Sequence, residues 1–130
     1  MIAVDTNILV RLLTQDDLDQ YQKSMQLFRN EELIFIPDTV ILETEWVLRF
    51  AYKFQANEIC DAFQNLLGLS NVQLQDENRV AIAIELHREG LDFADALHLV
   101  QSQDCAAMYS FDRQFVQKAQ SLTDYDVREP

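Results

Sequence analysis

The sequence predicts an α/β fold: a short, mostly parallel central sheet with helices on both faces. Short apolar segments alternate with longer stretches of helical period. Almost no hairpin signal separates them, and glycine and proline number only two each among 130 residues, too few for a loop-rich β-barrel. With 48% hydrophobic residues the chain can bury one core at this length, so a single domain over residues 1–130 is expected. Strands buried on both faces read as unbroken apolar runs, as these segments do.

Ile2-Ala3-Val4 is a short run with β-branched residues that stops at Asp5, and it reads as a buried first strand. A helix over Thr6–Leu13 follows. From Asp17 to Asn30, Leu18, Tyr21, Met25 and Phe28 recur at three- and four-residue spacing, which marks an amphipathic helix. Leu33-Ile34-Phe35-Ile36 is a second strand, stopped by Pro37. Asp38 or Thr39 is suited to cap the next helix, which runs to about Tyr52. Ile59, Phe63, Leu66 and Leu67 share one side of a helix over Ala56–Leu67 that Gly68 ends. Val72 and Leu74 mark a third strand. Asp76 opens a helix through Val80, Ile84 and Leu86, closed by Gly90. Phe93 to Val100 is a nearly all-apolar helix. Ala106-Ala107-Met108-Tyr109 is a fourth strand, Arg113–Ala119 a helix, and Tyr125–Arg128 an edge strand.

The 22 acidic residues outnumber the 10 basic ones, for a net charge of -12. That balance argues against phosphate binding by Lys and Arg alone. Three roles for the acids remain open: a solvated surface, ligands for a hard divalent cation, or a face that a basic partner protein covers. Cys60 and Cys105 make no disulfide framework, which points to a reducing cytoplasmic setting. There is no C-x-x-C and no His pair at helical spacing, so zinc is not expected. Two glycines cannot build a phosphate cradle. The apolar runs are too short to span a membrane, and Asp5 comes too early for a secretory signal. Both cysteines read as packing residues, and the aromatics Trp46, Phe50, Tyr52 and Phe54 as packing residues for the most part or else as the lining of a groove for a partner. His87 falls on the more polar side of its helix.

Ligands in parallel α/β sheets gather beyond the carboxyl ends of the strands. Asp5 and Asp112 follow the first and fourth strands, and each is equally well read as a helix N-cap. Glu43 stands in line with Val40, Val47 and Phe50, placing a carboxylate on an apolar stripe unless it is partly exposed at the stripe's end; Glu45 has Trp46 and Arg49 as surface companions. Asp95 and His98 alone interrupt the apolar Phe93–Val100 helix, three residues apart, so a buried Asp–His hydrogen bond is one account of them. Asp92, one turn before Asp95, is a cap or an outer acid. If Asp5, Glu43, Asp95 and Asp112 converge, their carboxylates repel one another, and one or two Mg²⁺ or Mn²⁺ ions would compensate.

These residues resemble the PIN-domain nucleases, most closely the VapC-type toxins of toxin–antitoxin pairs. The resemblance rests on Val4-Asp5-Thr6-Asn7, Glu43, Phe93-Ala94-Asp95-Ala96-Leu97 and Ser110-Phe111-Asp112-Arg113-Gln114-Phe115, in that order along essentially the whole chain. It implies a PIN-like three-layer α/β/α sandwich and a metal-dependent endoribonuclease. Asp5 and Asp95 would be primary ligands for Mg²⁺ or Mn²⁺, with Glu43 and Asp112 completing the site. Thr6 and Asn7 would steady Asp5, and Ser110 would steady Asp112. It further implies an RNA substrate, a cognate antitoxin and a homodimer. Gln114 replaces an acid that many PIN proteins carry there, and Ser110 replaces a common Thr. Arg11, Arg49, Arg79 and Arg113 are candidates for RNA backbone contacts. Two alternatives keep the same fold: a PIN ribonuclease outside any toxin pair, and an inactive interaction module. A haloacid-dehalogenase-type phosphatase would need an acid where Asn7 stands.

Overall fold

Three of the apolar segments pair side by side in parallel. The computed structural model describes residues 1–130, and these form two compact units, Met1–Glu77 and Asn78–Pro130. The first holds β1 (Ile2–Ala3), α1 (Thr6–Thr14), α2 (Leu18–Asn30), β2 (Ile34–Phe35), α3 (Asp38–Phe50), α4 (Ala56–Leu67) and β3 (Val72–Gln73). The strand order is β1-β2-β3. Ile2 lies opposite Ile34, and Ile34 opposite Val72. Ile34 and Ile36 are fully buried; each such side chain contributes about 1.5–3 kcal/mol through burial. Leu9, Val10, Phe28, Ile41, Leu48, Ile59 and Phe63 complete the core of this unit.

The second unit holds α5 (Glu77–Arg88, whose first residue belongs to the first unit), α6 (Phe93–Gln101), β4 (Met108–Tyr109), α7 (Arg113–Leu122) and β5 (Val127–Arg128). β4 and β5 pair in parallel, Met108 opposite Val127 and Tyr109 opposite Arg128. Val80, Ile84, Leu91, Phe93, Leu99 and Phe115 are buried here. Every strand pairing is parallel, as the apolar runs predicted. No helix is long and apolar enough to cross a membrane.

Several local expectations are corrected. α3 is not capped by Asp38 or Thr39: Pro37 takes the cap position with extended backbone. Asp38 becomes the first helical residue, where its charge meets the positive end of the helix dipole. α3 stops at Phe50 rather than Tyr52, because Lys53 turns left-handed (φ 59°) and the Phe54 N–H returns to the Leu48 carbonyl at 3.0 Å. Gly68 ends α4 in a right-handed conformation (φ -75°), so its freedom is not needed there. Gly90 does need it: φ is +113° in the turn between α5 and α6.

Candidate functional site

In the first unit the candidate residues sit where β1 gives way to α1. Asp5 accepts from the Ile8 N–H at 3.5 Å, at the limit of a useful hydrogen bond. The caps made by Asp17, Asp92 and Asp112 are shorter, 3.0–3.1 Å. Capping therefore accounts for Asp5 least well. Asp5 and Asn7 border an open groove of about 650 Å³, together with Ile8, Arg11, Lys23 and Leu27 of α1 and α2. Arg11 is engaged by Asp16 at 2.9 Å and by the Tyr52 hydroxyl at 3.2 Å. The same hydroxyl donates to Asp16 at 2.6 Å, and with Thr14 and Arg11 it holds that carboxyl down at a pKa of about 2.

Thr6 is buried, and its hydroxyl donates to Glu43. The single hydroxyl proton thus steadies Glu43, not Asp5 as the resemblance suggested. Glu43 itself is exposed, as is Phe50 at the far end of its stripe, while Val40 before them and Val47 between them are half-buried. The buried face of α3 is instead Ile41, Thr44, Glu45 and Leu48. Glu45, expected at the surface, is only 1% exposed and takes a two-pronged contact from Arg49 at 2.8 and 3.2 Å. The signal was present in the sequence: Ile41, Glu45 and Leu48 lie at four- and three-residue spacing, with Arg49 one turn beyond Glu45. Trp46 and Phe50 are exposed and stack on each other with centroids 4.8 Å apart, so core packing is not their role.

In the second unit Asp92 caps α6, accepting from the Asp95 N–H at 3.1 Å. Asp95 projects from the first turn of α6 and is partly buried. Its pKa is raised by burial first, then by the charges of Asp92 and Asp112, against a smaller opposing pull from His98. The structure thus brings Asp92, Asp95 and Asp112 into electrostatic range of one another. His98 is exposed, so the buried Asp–His pair does not form. Asp112 caps α7 through the Phe115 N–H at 3.1 Å, and its own N–H donates to the Ser110 hydroxyl at 3.0 Å. Ser110 is anchored in turn by its N–H to the Arg128 carbonyl at 3.1 Å. Because Asp112 caps α7, Asp112→Ala should lower stability by about 1 kcal/mol. Asp112→Asn, which keeps an accepting oxygen, should cost less; urea unfolding distinguishes the two, and equal losses would remove the cap from the account.

Two residues lie elsewhere than the sequence suggested. His87 is buried, its Nδ1 2.7 Å from the Leu91 carbonyl and its ring edge-on to Phe93 at 5.4 Å. Val80, Ile84 and His87 repeat at four and three residues along α5, which marks that face as interior. Cys60 is buried as expected, but Cys105 is exposed.

These donors fit a hard divalent cation by chemistry. They are carboxylate oxygens, and in the second unit like charge is already crowded around Asp95. Within neither unit are three His, Cys, Asp or Glu side chains gathered into a ready ion cage. Mg²⁺ keeps several waters and is commonly held by one or two carboxylates, so a closed protein cage is not required.

The PIN domain family profile matches residues 2–120. The VapC ribonuclease of Aquifex aeolicus (strain VF5) is 28% identical over 124 residues, which cover 88% of this chain and 90% of that protein. The crystal structure of Mycobacterium tuberculosis VapC20, described as a toxin that cleaves the sarcin–ricin loop, aligns with a TM-score of 0.45 at 18% identity, over 88% of this chain and 92% of that one. Asp5, Glu43, Asp95 and Asp112 all fall within the span that the family profile matches. With nearly its whole length accounted for in this way, the chain belongs to the PIN-domain family.

Proposed function

We propose that this protein is a metal-dependent endoribonuclease and the toxin of a toxin–antitoxin pair. The observation that carries this is the Asp95 carboxyl at the start of α6, partly buried and facing the charges of Asp92 and Asp112, in a chain of the PIN family. The name of the Aquifex relative supports RNA as substrate. Asp5, Glu43, Asp95 and Asp112 are the proposed catalytic and metal-ligating residues, acting in a single domain. Bound Mg²⁺ or Mn²⁺, as one ion or two, would polarise the scissile phosphate and activate water at neutral pH.

The chain's own residues hold these carboxylates in place. Thr6 fixes the rotamer of Glu43. Asp92 closes the first turn of α6 and so sets the direction from which Asp95 projects. Ser110 and the β4–β5 pairing fix the backbone at Asp112. Asn7, on the first turn of α1 beside Asp5, is the proposed polar helper there. A cognate antitoxin, a homodimer and a cytoplasmic location complete the proposal.

Purified protein should cleave single-stranded RNA with Mg²⁺ or Mn²⁺ and stop on addition of EDTA. Cleavage that persists in EDTA would overturn metal dependence. Mn²⁺ should also raise the melting temperature of the partner-free protein, by the equivalent of about 2.7 kcal/mol at a free concentration 100-fold above Kd. Asp5→Asn should shrink that rise while leaving the metal-free melting temperature unchanged, since Asn caps a helix as well as Asp does. Growth arrest on expression without the antitoxin tests the toxin role; RNA cleavage without arrest would place the enzyme outside a toxin pair.

A further inference from the structure

The loop that carries Asp112 also displays two aromatic rings that the core does not use. Phe111 is 83% exposed and Tyr109 56% exposed. Core packing at this corner is done by Phe115, which is buried. Phe111 precedes a candidate catalytic carboxylate in sequence, and it is exposed together with Tyr109 two residues before it; clustered exposed apolar surface is a mark of binding sites. Ser110 lies between the two rings, held by its N–H to Arg128 and by its hydroxyl to the Asp112 N–H. The backbone that presents them is therefore fixed at both ends.

Charge supports one kind of occupant. The Arg128 guanidinium lies 5.8 Å from the Tyr109 ring centre, while also pairing with Asp126. Arg113 follows Asp112 and is 84% exposed, with Glu129 at 3.3 Å. Two guanidinium groups, each shared with a carboxylate of the same unit, and two exposed rings thus lie on the segments that carry and adjoin Asp112. Aromatic faces and guanidinium planes together are what unstacked bases and their phosphates require, and single-stranded RNA is recognised through them.

We infer that Phe111, with Tyr109, is a stacking platform that holds a base of single-stranded RNA next to Asp112. This rests on the ribonuclease assignment and adds to it the residues that position the substrate. Phe111 is a positioning residue: it acts on where the strand lies, not on the reacting atoms. Binding of a labelled oligoadenylate in EDTA, where no cleavage occurs, reads the platform separately from chemistry.

Phe111→Ala should weaken that binding roughly ten-fold and raise KM with Mg²⁺ to a similar extent. It should leave kcat and the melting temperature close to those of the wild type. Phe111→Trp should retain binding, and Phe111→Leu, apolar but without a π face, should behave as Phe111→Ala does. If the wild type cleaves RNA while Phe111→Ala binds oligoadenylate as tightly as it does, the platform is refuted and the ribonuclease assignment stands. If Phe111→Leu binds like the wild type, the surface is merely apolar and suits a protein segment, which also refutes the platform. A wild type that neither binds oligoadenylate nor cleaves RNA would remove both.

Discussion

Asp95→Asn should reduce RNA cleavage by roughly 10²–10⁴-fold, the rate equivalent of several kcal/mol of charge stabilisation, without unfolding the protein. Asn preserves the shape of the side chain, and the hydrogen bond to the Asp92 carboxylate is untouched because the Asp95 backbone N–H donates it. It removes only the charge. Folding raises the Asp95 pKa above its ordinary 3.8, so the folded protein binds that proton more tightly than the unfolded chain. Stability then falls as pH rises from the ordinary carboxyl range through the raised value, and the deficit persists at neutral pH. A neutral Asn avoids that deficit. In EDTA at neutral pH the variant should melt at or above the wild-type temperature, and the gap should close as pH is lowered toward the ordinary carboxyl range. Activity lost together with a large fall in the metal-free melting temperature would make Asp95 a structural group. Retained activity would remove it from the ion-binding set.

The elements were legible in the sequence because burial writes itself into periodicity. α4 begins and ends where its apolar spacing does. The Asp17, Asp92 and Asp112 caps are visible as acids before helical runs. The failures are equally physical. On α3 two stripes compete, one of Val40, Glu43, Val47 and Phe50, the other of Ile41, Thr44, Glu45 and Leu48. Composition favours the first, which sets three apolar residues beside its glutamate where the second has two and a threonine. The structure buries the second because Arg49, one turn away, satisfies the Glu45 carboxylate. His87 was misplaced for a similar reason, since its partner is the Leu91 carbonyl in a turn that only a glycine at φ +113° allows. Of the candidate site, the identities of the acids were legible as family motifs. Their supports were less so: whether the Thr6 hydroxyl turns to Asp5 or to Glu43 depends on a contact 37 residues away in sequence.

The two glutamates of α3 should therefore give opposite results when changed, and the pair is the sharpest test of which face does what. Glu43→Gln keeps an oxygen for the Thr6 hydroxyl, so the melting temperature should hold. The lost charge should cost cleavage about 10–100-fold, the range for groups that orient or complete a metal site. Glu45→Ala should do the reverse. It deprives Arg49 of both contacts and leaves a gap at a position that is 1% exposed. Breaking a wholly buried pair costs about 3–5 kcal/mol. Arg49 is 36% exposed and can recover water, so about 2–3 kcal/mol is expected here, or roughly 6–12 °C in Tm at this chain length. Activity per folded molecule should survive, because Glu45 faces the interior while Glu43 faces out. Thermal unfolding beside initial cleavage rates decides it. A Glu45→Ala protein as stable as the wild type would mean that the interior of α3 tolerates losing its charge, and a Glu43→Gln protein with full activity would remove α3 from the catalytic set.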